Sequence, residues 1–453
     1  MIYLYQASPF NVSRFAMNRL QFWEGGSVTS KIIIRGGKPL YGEVAVSGMK
    51  NSALPIIFAT LLVHGQVTLH NVPKVSDTID ALKILFSMGA SVETVDNQTV
   101  KIDTAKLIPG TSPLALVSRI RASCYLLGAE LGRFGQTKVA QPGGCNFGKR
   151  PLDIHLSGFQ ALGATVEYSG EFIFGDAIDG LKGTGINLRF PSVGATVNML
   201  LAAVTADGTT VLSNAAREPH IADLCRFLIA CGADISGVGS STLTVRGVSE
   251  LRGCEYTIAP DMIEAGTYMA AVAAAGGSLR LTGIVPDDLV STCAAMADAG
   301  ALFEIGTDHM IIRSGALRAV TVSTEPFPGF PTDMHPQLGA MLCCANGTSA
   351  IFENIFDNRF QYVDELQKMG ANVIRSGNKA LITGVPSLHG AKVNAVDLRA
   401  GAALVIAALC AEGTTEITGV DKIERGYNNI VGNLKNLGAD VTFIEEDEPE
   451  ETE

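Results

Sequence analysis

One phrase returns about every 70 residues along this chain: an amphipathic run that ends in Gly-Ala and passes into a β-branched stretch. The copies are anchored at Gly89, Gly163, Gly232, Gly300, Gly370 and Gly438, and read SMGASVETV, ALGATVEYS, ACGADISGV, DAGALFEIG, KMGANVIRS and NLGADVTFI. Upstream lie a small-residue helical stretch, a Gly and a short strand such as GQVTLHNV, GTTVLSNA, GTSAIFENI or GTTEITGV. Each unit therefore reads helix, strand, helix, strand. A Gly straight after a helix suits the left-handed C-cap, which only Gly enters without a Cβ penalty.

The two helices of a unit differ in kind. The second is amphipathic, with Ile79, Leu82, Leu85 and Phe86 at helical spacing, whereas the first is apolar nearly all round, as in SALPIIFATLLV, ATVNMLLAAVTA, GTYMAAVAAAG and AGAALVIAALCA. A helix without a polar face is buried on every side. The pattern predicts an α/β protein with helices inside and sheets outside, three units to a domain. An open solenoid is the alternative, and it is disfavoured because its helices would keep one solvated face. A chain of 453 residues exceeds the roughly 250–300 at which single cores stop growing, so two domains are expected.

No apolar run reaches the ~18 residues of a membrane span. The formal charge is −11, but Glu445, Glu446, Asp447, Glu448, Glu450, Glu451 and Glu453 carry seven of those charges and leave the remainder near −4. Residues 445–453 read as a solvated acidic tail, and bulk charge gives no reason to expect nucleic acid. An anionic ligand must be held by a few placed cations. Nine cysteines, with no CxxC and no paired metal spacing, read as reduced thiols of a cytoplasmic protein, mostly core hydrophobes, with no metal site. Residues 1–30 stand outside the repeats and lack a continuous apolar signal region; Glu24-Gly25-Gly26 fits a translated ribosome-binding sequence, which would put the start at Val28.

Cys145 breaks the cysteine pattern. It lies in AQPGGCNFGKRP, flanked by glycines, a proline, Lys149 and Arg150, a loop composition in which nearby cations favour a thiolate. An incidental loop cysteine is the bland alternative.

The blocks GMKNSALP, RIRASCYLLG, PGGCNFGKRPLDIH, FPSVGATVNML, NAAREPHI, PDMIEAGTY, GFPTDMHPQ, IFDNRF, VDLRAGAALV and IERGY occur in this order across about residues 31–444. They resemble the ordered signatures of the UDP-N-acetylglucosamine 1-carboxyvinyltransferases, a family of enolpyruvyl transferases. The Cys loop is the most diagnostic block, since the sister 5-enolpyruvylshikimate-3-phosphate synthases lack it. The resemblance implies two inside-out α/β domains, each of three βαβαββ repeats, six in all, joined by a double crossing near Lys50 and Asp261. One domain is then continuous (50–260) and the other discontinuous (31–49 with 261–444), with the site between them.

The implied reaction moves the enolpyruvyl group of phosphoenolpyruvate to the 3-hydroxyl of UDP-N-acetylglucosamine and releases phosphate, with no cofactor. In the family pattern Lys50, Arg121 and Arg150 approach the phosphate, and Arg399 and Arg425 serve the carboxylate; guanidinium forks suit both groups. Cys145 matches the loop cysteine that protonates the methylene carbon and forms a phosphoenolpyruvate adduct. Asp333 matches the carboxylate near the sugar hydroxyl, the candidate base, although by local sequence it reads as a helix N-cap. Asn51 accompanies Lys50, and Glu218, Asp261 and Asp397 fill supporting positions. Asp397 and Arg399 are spaced to share one face of an extended segment, where a plain ion pair is equally expected.

The nucleotide contacts implied are Arg150, Pro151, Leu152, Asp153 and Ile154 along the uracil and Ser192, Val193 and Gly194 at the diphosphate on a helix N-terminus, and Ile355 is a further substrate contact. Phe190 and Met262 stand where the family often has Lys and Arg, and Arg189 would face the opposite way if its segment is a strand. A paralogue for another nucleotide sugar, a catalytically silent homologue and an RNA-cyclase-like relative are the competing readings. The retained Cys145, Asp333 and arginines weigh against the silent one, and acidity and the block match against the last.

Overall fold

The computed structural model describes residues 29–110, 112–143 and 152–446. Twelve helices carry the six units: α1 Lys50–Ala59 and α2 Ser76–Ser87, α3 Tyr125–Phe134 and α4 Asp153–Ala161, α5 Val193–Ala203 and α6 Pro219–Ala230. They continue with α7 Met262–Ala275 and α8 Val290–Asp298, α9 His335–Leu342 and α10 Tyr362–Lys368, α11 Leu398–Cys410 and α12 Ile430–Asn436.

The Gly-Ala phrase has a single local explanation. All six glycines have positive φ, from 88° at Gly370 to 108° at Gly300, and each sits just past the C-cap of an even-numbered helix. The Ala amide that follows donates back across the helix end, as Ala90 N does to Leu85 O at 3.0 Å, while Gly89 N donates to Phe86 O at 3.0 Å. The same two bonds close the other five helices. This paired closure satisfies carbonyls that would otherwise be orphaned, and it demands Gly at the left-handed position.

The odd-numbered helices are buried almost throughout: Ser52–Ala59 of α1, Ala195–Ala203 of α5, Ile263–Ala273 of α7, all of α9, and Leu398–Leu409 of α11. Helices α7, α9 and α11 touch one another pairwise, and α3 touches both α1 and α5. Such closed groups, rather than a one-dimensional stack, remove the solenoid. Sheets form the outer layer, their strands alternating buried and exposed residues as in Gln66–His70.

Four of the units end in one sheet with a common order, a parallel pair and then an antiparallel hairpin. Leu40–Ala45, Gly277–Thr282, His309–Arg313 and Leu302–Ile305 lie side by side in that sequence. Among the described residues five sheets have four strands, the second unit's has three, and Val63–His64 pairs with Leu251–Arg252 in a separate two-stranded sheet. In the sixth, Thr29–Arg35 inserts between Thr414–Thr418 and Asp440–Glu446, so the chain's first described strand closes its last unit. Glu445 and Glu446, expected in the tail, pair with Ser30 and Thr29 and belong to that sheet. The sheet thus reaches past both expected boundaries. Residues 1–28, with the expected start, and 447–453 lie outside the described residues.

Buried apolar side chains form two clusters, one from Ala53 to Ile258 and one joining Ile32–Val46 to Ile263–Val441. The chain passes between them twice at one place. Gly48 bridges Pro260, Met49 N donates to Ala259 O at 2.7 Å, and Asp261 N donates to Ser47 O at 2.8 Å. A Cβ on Gly48 would lie 1.7 Å from Asn71 O, so no side chain fits at this crossing.

Candidate active site

Many of the residues nominated from the sequence fall at one kind of place, the N-terminal end of a buried odd-numbered helix. Lys50 and Asn51 open α1, Arg121 opens the short 3₁₀ turn before α3, Ser192 caps α5, Asp261 caps α7, Asp333 lies in the turn before α9, and Asp397 caps α11 with Arg399 in its first turn. A helix apolar on all sides can carry polar chemistry only at its ends, and the N-terminal end adds free N–H groups and positive dipole.

Asp333 is the best-held of these groups. Its Oδ1 accepts from Arg359 at 2.7 Å and its Oδ2 from Arg399 at 3.0 Å. Both arginine side chains are nearly sealed from solvent, at 2% and 3% exposure. Burial alone would push the carboxyl up, but Arg399, Arg359 and Lys50 outweigh it and hold Asp333 well below the usual carboxylate range. It caps no helix, so the N-cap alternative fails. The turn beneath it is fixed by Glu353, whose Oε2 accepts from Thr332 Oγ1 and His335 Nδ1 and whose Oε1 accepts from Ile355 N at 2.8 Å. Ile355 is thereby tied to the Asp333 turn.

Asp397 corrects another expectation. It does not share an extended face with Arg399: it caps α11, its Oδ1 accepting from Arg399 N at 2.8 Å and Ala400 N at 3.0 Å. The helix begins between the two residues, so the period-two argument does not apply. Asp261 caps α7 in the same way through Ile263 N, and burial raises its pKa against the pull of Arg399.

Lys50 and Arg425 come from the two different clusters and meet on one carboxylate that sequence reading missed. Asp77, in the first turn of α2, accepts from Lys50 Nζ at 3.1 Å and from Arg425 Nε at 2.8 Å. Burial opposes its ionisation; the two cations more than offset that and lower its pKa. Asp77→Asn should therefore weaken the ligand-free protein, on the order of 3 kcal/mol for removing one member of a mostly buried pair. Added inorganic phosphate, which can take up the released cations, should raise the melting temperature of the variant more than that of the parent. Equal phosphate responses in thermal melts would show that Asp77 does not compete for these cations.

Glu218 and His220 flank the start of α6. Glu218 Oε1 accepts from Phe327 N of the other cluster at 3.5 Å, and burial raises its pKa; its Oε2 finds no partner among the described residues. His220 Nδ1 is likewise buried and unpartnered among them. Burial pushes its imidazole down to about 4, with Asp333 pulling the other way.

On the nucleotide side, Ser192 Oγ accepts from Ala195 N at 3.3 Å and so caps α5, whose first residues are Val193 and Gly194. A Cβ at Gly194 would meet His155 Cε1 at 2.9 Å, so glycine is what lets this helix end lie against α4. His155 is held neutral, pushed down to about 3 by burial and by Arg121, and its Nδ1 lies 2.8 Å from Asn198 Nδ2. Leu152 is buried, and Asp153 and Ile154 open α4. Arg189 lies in a bend, not a strand, and pairs with Asp153, while Phe190 is 44% exposed. Met262 is the first residue of α7. Cys145, Arg150 and Pro151 lie outside the described residues.

Four groups were missed: Asp77, Arg359, His220 and Tyr427, whose hydroxyl lies 3.4 Å from Arg399 Nη1 and 2.9 Å from Thr267 Oγ1. Arg359, His220 and Tyr427 sit inside blocks already quoted for the resemblance, which was the available signal. Nothing local marks Asp77.

A family model described as EPSP synthase (3-phosphoshikimate 1-carboxyvinyltransferase) matches residues 34–434. The UDP-N-acetylglucosamine 1-carboxyvinyltransferase 3 of Caldanaerobacter subterraneus subsp. tengcongensis is 46% identical over 417 residues, covering 92% of this chain and 100% of the relative. The UDP-N-acetylglucosamine 1-carboxyvinyltransferase of Clostridium botulinum is 45% identical over 417 residues, with the same coverage of 92% and 100%. Among solved structures, the enolpyruvyl transferase NikO from Streptomyces tendae superposes with a TM-score of 0.83 at 26% identity, covering 93% of this chain and 100% of that one. Its six repeated units, its buried helix ends and these full-length matches together make the chain a member of the EPSP synthase family, on its UDP-N-acetylglucosamine 1-carboxyvinyltransferase branch.

Proposed function

We propose that this chain transfers the enolpyruvyl group of phosphoenolpyruvate to the 3-hydroxyl of UDP-N-acetylglucosamine, releasing phosphate, as the first committed step of peptidoglycan synthesis. One observation carries the reading: Asp333, Lys50, Arg399 and Arg425 gather from both apolar clusters in a chain that matches transferases of that name end to end. We read the clusters as two domains, 50–260 and 31–49 with 261–444, and the compartment as the reducing cytoplasm.

The chemistry assigned to each residue follows from its setting. Lys50 and Arg425, both paired with Asp77, are the cations an incoming phosphate and carboxylate would claim, with Arg121 and Arg150 beside the phosphate and Arg399 at the carboxylate end. Cys145 gives its proton to the methylene carbon, leaving positive charge at the neighbouring carbon for the sugar hydroxyl to attack. As that C–O bond forms the hydroxyl proton becomes strongly acidic, so even a carboxylate with a depressed pKa accepts it. Asp333 fills that role. Return of a methyl proton to the Cys145 thiolate and expulsion of phosphate then restore the double bond in the product. Asn51, Glu218, Asp261 and Asp397 support these groups, and Leu152 to Ile154, Ser192 to Gly194 and Ile355 line the acceptor's path.

The test is phosphate release from phosphoenolpyruvate with a panel of acceptors. Release is expected with UDP-N-acetylglucosamine and not with shikimate 3-phosphate. Equal or faster turnover with another nucleotide sugar would favour the paralogue, a reading motivated by Phe190 and by Arg189 being engaged with Asp153.

A further inference from the structure

Eight cysteines are described, all as free thiols, and two of them stand out by placement. Cys231 Sγ and Cys254 Sγ lie 3.3 Å apart, although 23 residues separate them in sequence. Cys231 is the buried C-cap of α6, and Cys254 is partly exposed in the connection between the strands Leu251–Arg252 and Glu255–Thr257. The backbones that carry them are locked together. Arg252 N donates to Cys231 O at 2.8 Å, Cys231 N donates to Phe227 O at 3.0 Å, and Thr68 N donates to Cys254 O at 2.9 Å. Gly253 cannot drift, since a Cβ there would already lie 2.2 Å from Gln66 O. The closeness of the sulfurs is thus a property of the framework.

We propose that Cys231 and Cys254 form a dithiol that peroxides convert to an intramolecular disulfide, a modification site separate from the transfer chemistry. A disulfide needs the sulfurs about 2.05 Å apart, so rotation about the two Cα–Cβ bonds has little more than an ångström to close. Cys254 is the attacking thiol: it is the more exposed, and the hydrogen bond from Cys231 lowers its pKa. Its thiolate displaces hydroxide from hydrogen peroxide as the O–O bond breaks, giving a sulfenic acid, and the hydroxide is protonated to water. Cys231 then attacks that sulfur, the S–S bond forms, and a second water leaves. Two thiols supply the two electrons that one peroxide takes up, and a dithiol reductant reverses the change.

The chain contains its own comparison. Cys344 and Cys410 lie 3.7 Å apart, but Cys410 Sγ also donates to Ala407 O at 3.3 Å, so that pair is farther apart and partly committed elsewhere. Trypsin cuts after Arg246 and Arg252, placing Cys231 and Cys254 on separate peptides. After stoichiometric hydrogen peroxide and alkylation of the full chain, mass spectrometry should find those peptides joined, lighter by two hydrogen atoms and separable by dithiothreitol. Cys231→Ser should instead leave a sulfenic acid on Cys254 that dimedone traps. Recovery of both peptides unlinked once Cys145 is oxidised, or a Cys344–Cys410 link in their place, overturns the proposal.

Discussion

Asp333→Asn should lower kcat by about 10²–10⁴-fold, the span that removal of a positioned general base usually produces. The amide keeps the shape of the carboxylate, so UDP-N-acetylglucosamine affinity should change far less than turnover. A second effect comes from the arginines. Arg359 and Arg399, which donate to opposite oxygens of Asp333, lose their shared counter-charge while nearly sealed from water. Stranding buried charge in this way costs roughly 3–5 kcal/mol, so the variant should also melt earlier.

The pH dependence separates the parts. The Asp333 pKa lies below its unfolded value of about 3.8, so its contribution to stability is fully present above that pH and is lost as pH falls through the folded value. The melting-temperature gap between parent and variant should therefore stay constant from neutral pH to about 4.5 and narrow only below 3.8. For the same reason the acid limb of the parent's kcat/KM profile should not report Asp333 in that range. A variant that melts early yet keeps kcat within a few-fold would reduce Asp333 to an anchor for two arginines.

How far the sequence revealed this arrangement depends on the range of each interaction. The Gly-Ala closures are local: a helix end, one left-handed residue and a returning strand occupy a few consecutive positions, and they repeat six times. The all-apolar stretches likewise announce buried helices, because no solvated face remains to accommodate. Lys50, Ser192, Asp261, Asp333 and Asp397 share a legible position as well, each the polar residue at or just before the start of such a helix. What that position did not give was their partners. Asp77 and Arg425 are 348 residues apart, and Asp77 sits in an ordinary amphipathic helix where an acid in the first turn needs no further reason. For Asp397 and Arg399 a spacing of two suggests an extended segment, but the helix starts between them. Asp333 was ambiguous for a different reason: a cap and a base look alike until the two arginines on its oxygens are seen. Long-range pairing of charge, not secondary structure, was the hidden part.

Cys145 should be the only cysteine alkylated by an anionic epoxide that mimics phosphoenolpyruvate, and the reasons combine thiol chemistry with the cations described above. Cys225, Cys293 and Cys343 are poor nucleophiles, their thiols pushed up to about 12 by burial. Cys254 and Cys344 have lowered pKa values through their partner thiols, so an uncharged alkylating agent should reach them. The epoxide should not, since its phosphonate needs Lys50, Arg121 or Arg150 to position it, and those belong to the proposed phosphoenolpyruvate site. Cys145→Ser should abolish the adduct and lower turnover about 10²–10⁴-fold, because a hydroxyl is too weak an acid to protonate carbon. Cys145→Asp, by contrast, can deliver the proton from a carboxyl group while resisting alkylation, so it should retain turnover in the presence of the epoxide. The pair of variants divides proton donation, which Asp supplies, from sulfur attack, which it cannot. Peptide mass spectrometry reads the outcome: an adduct on Cys254 or any thiol other than Cys145, or full inhibition of Cys145→Ser by the epoxide, would place the reactive group elsewhere and remove the acid from the mechanism.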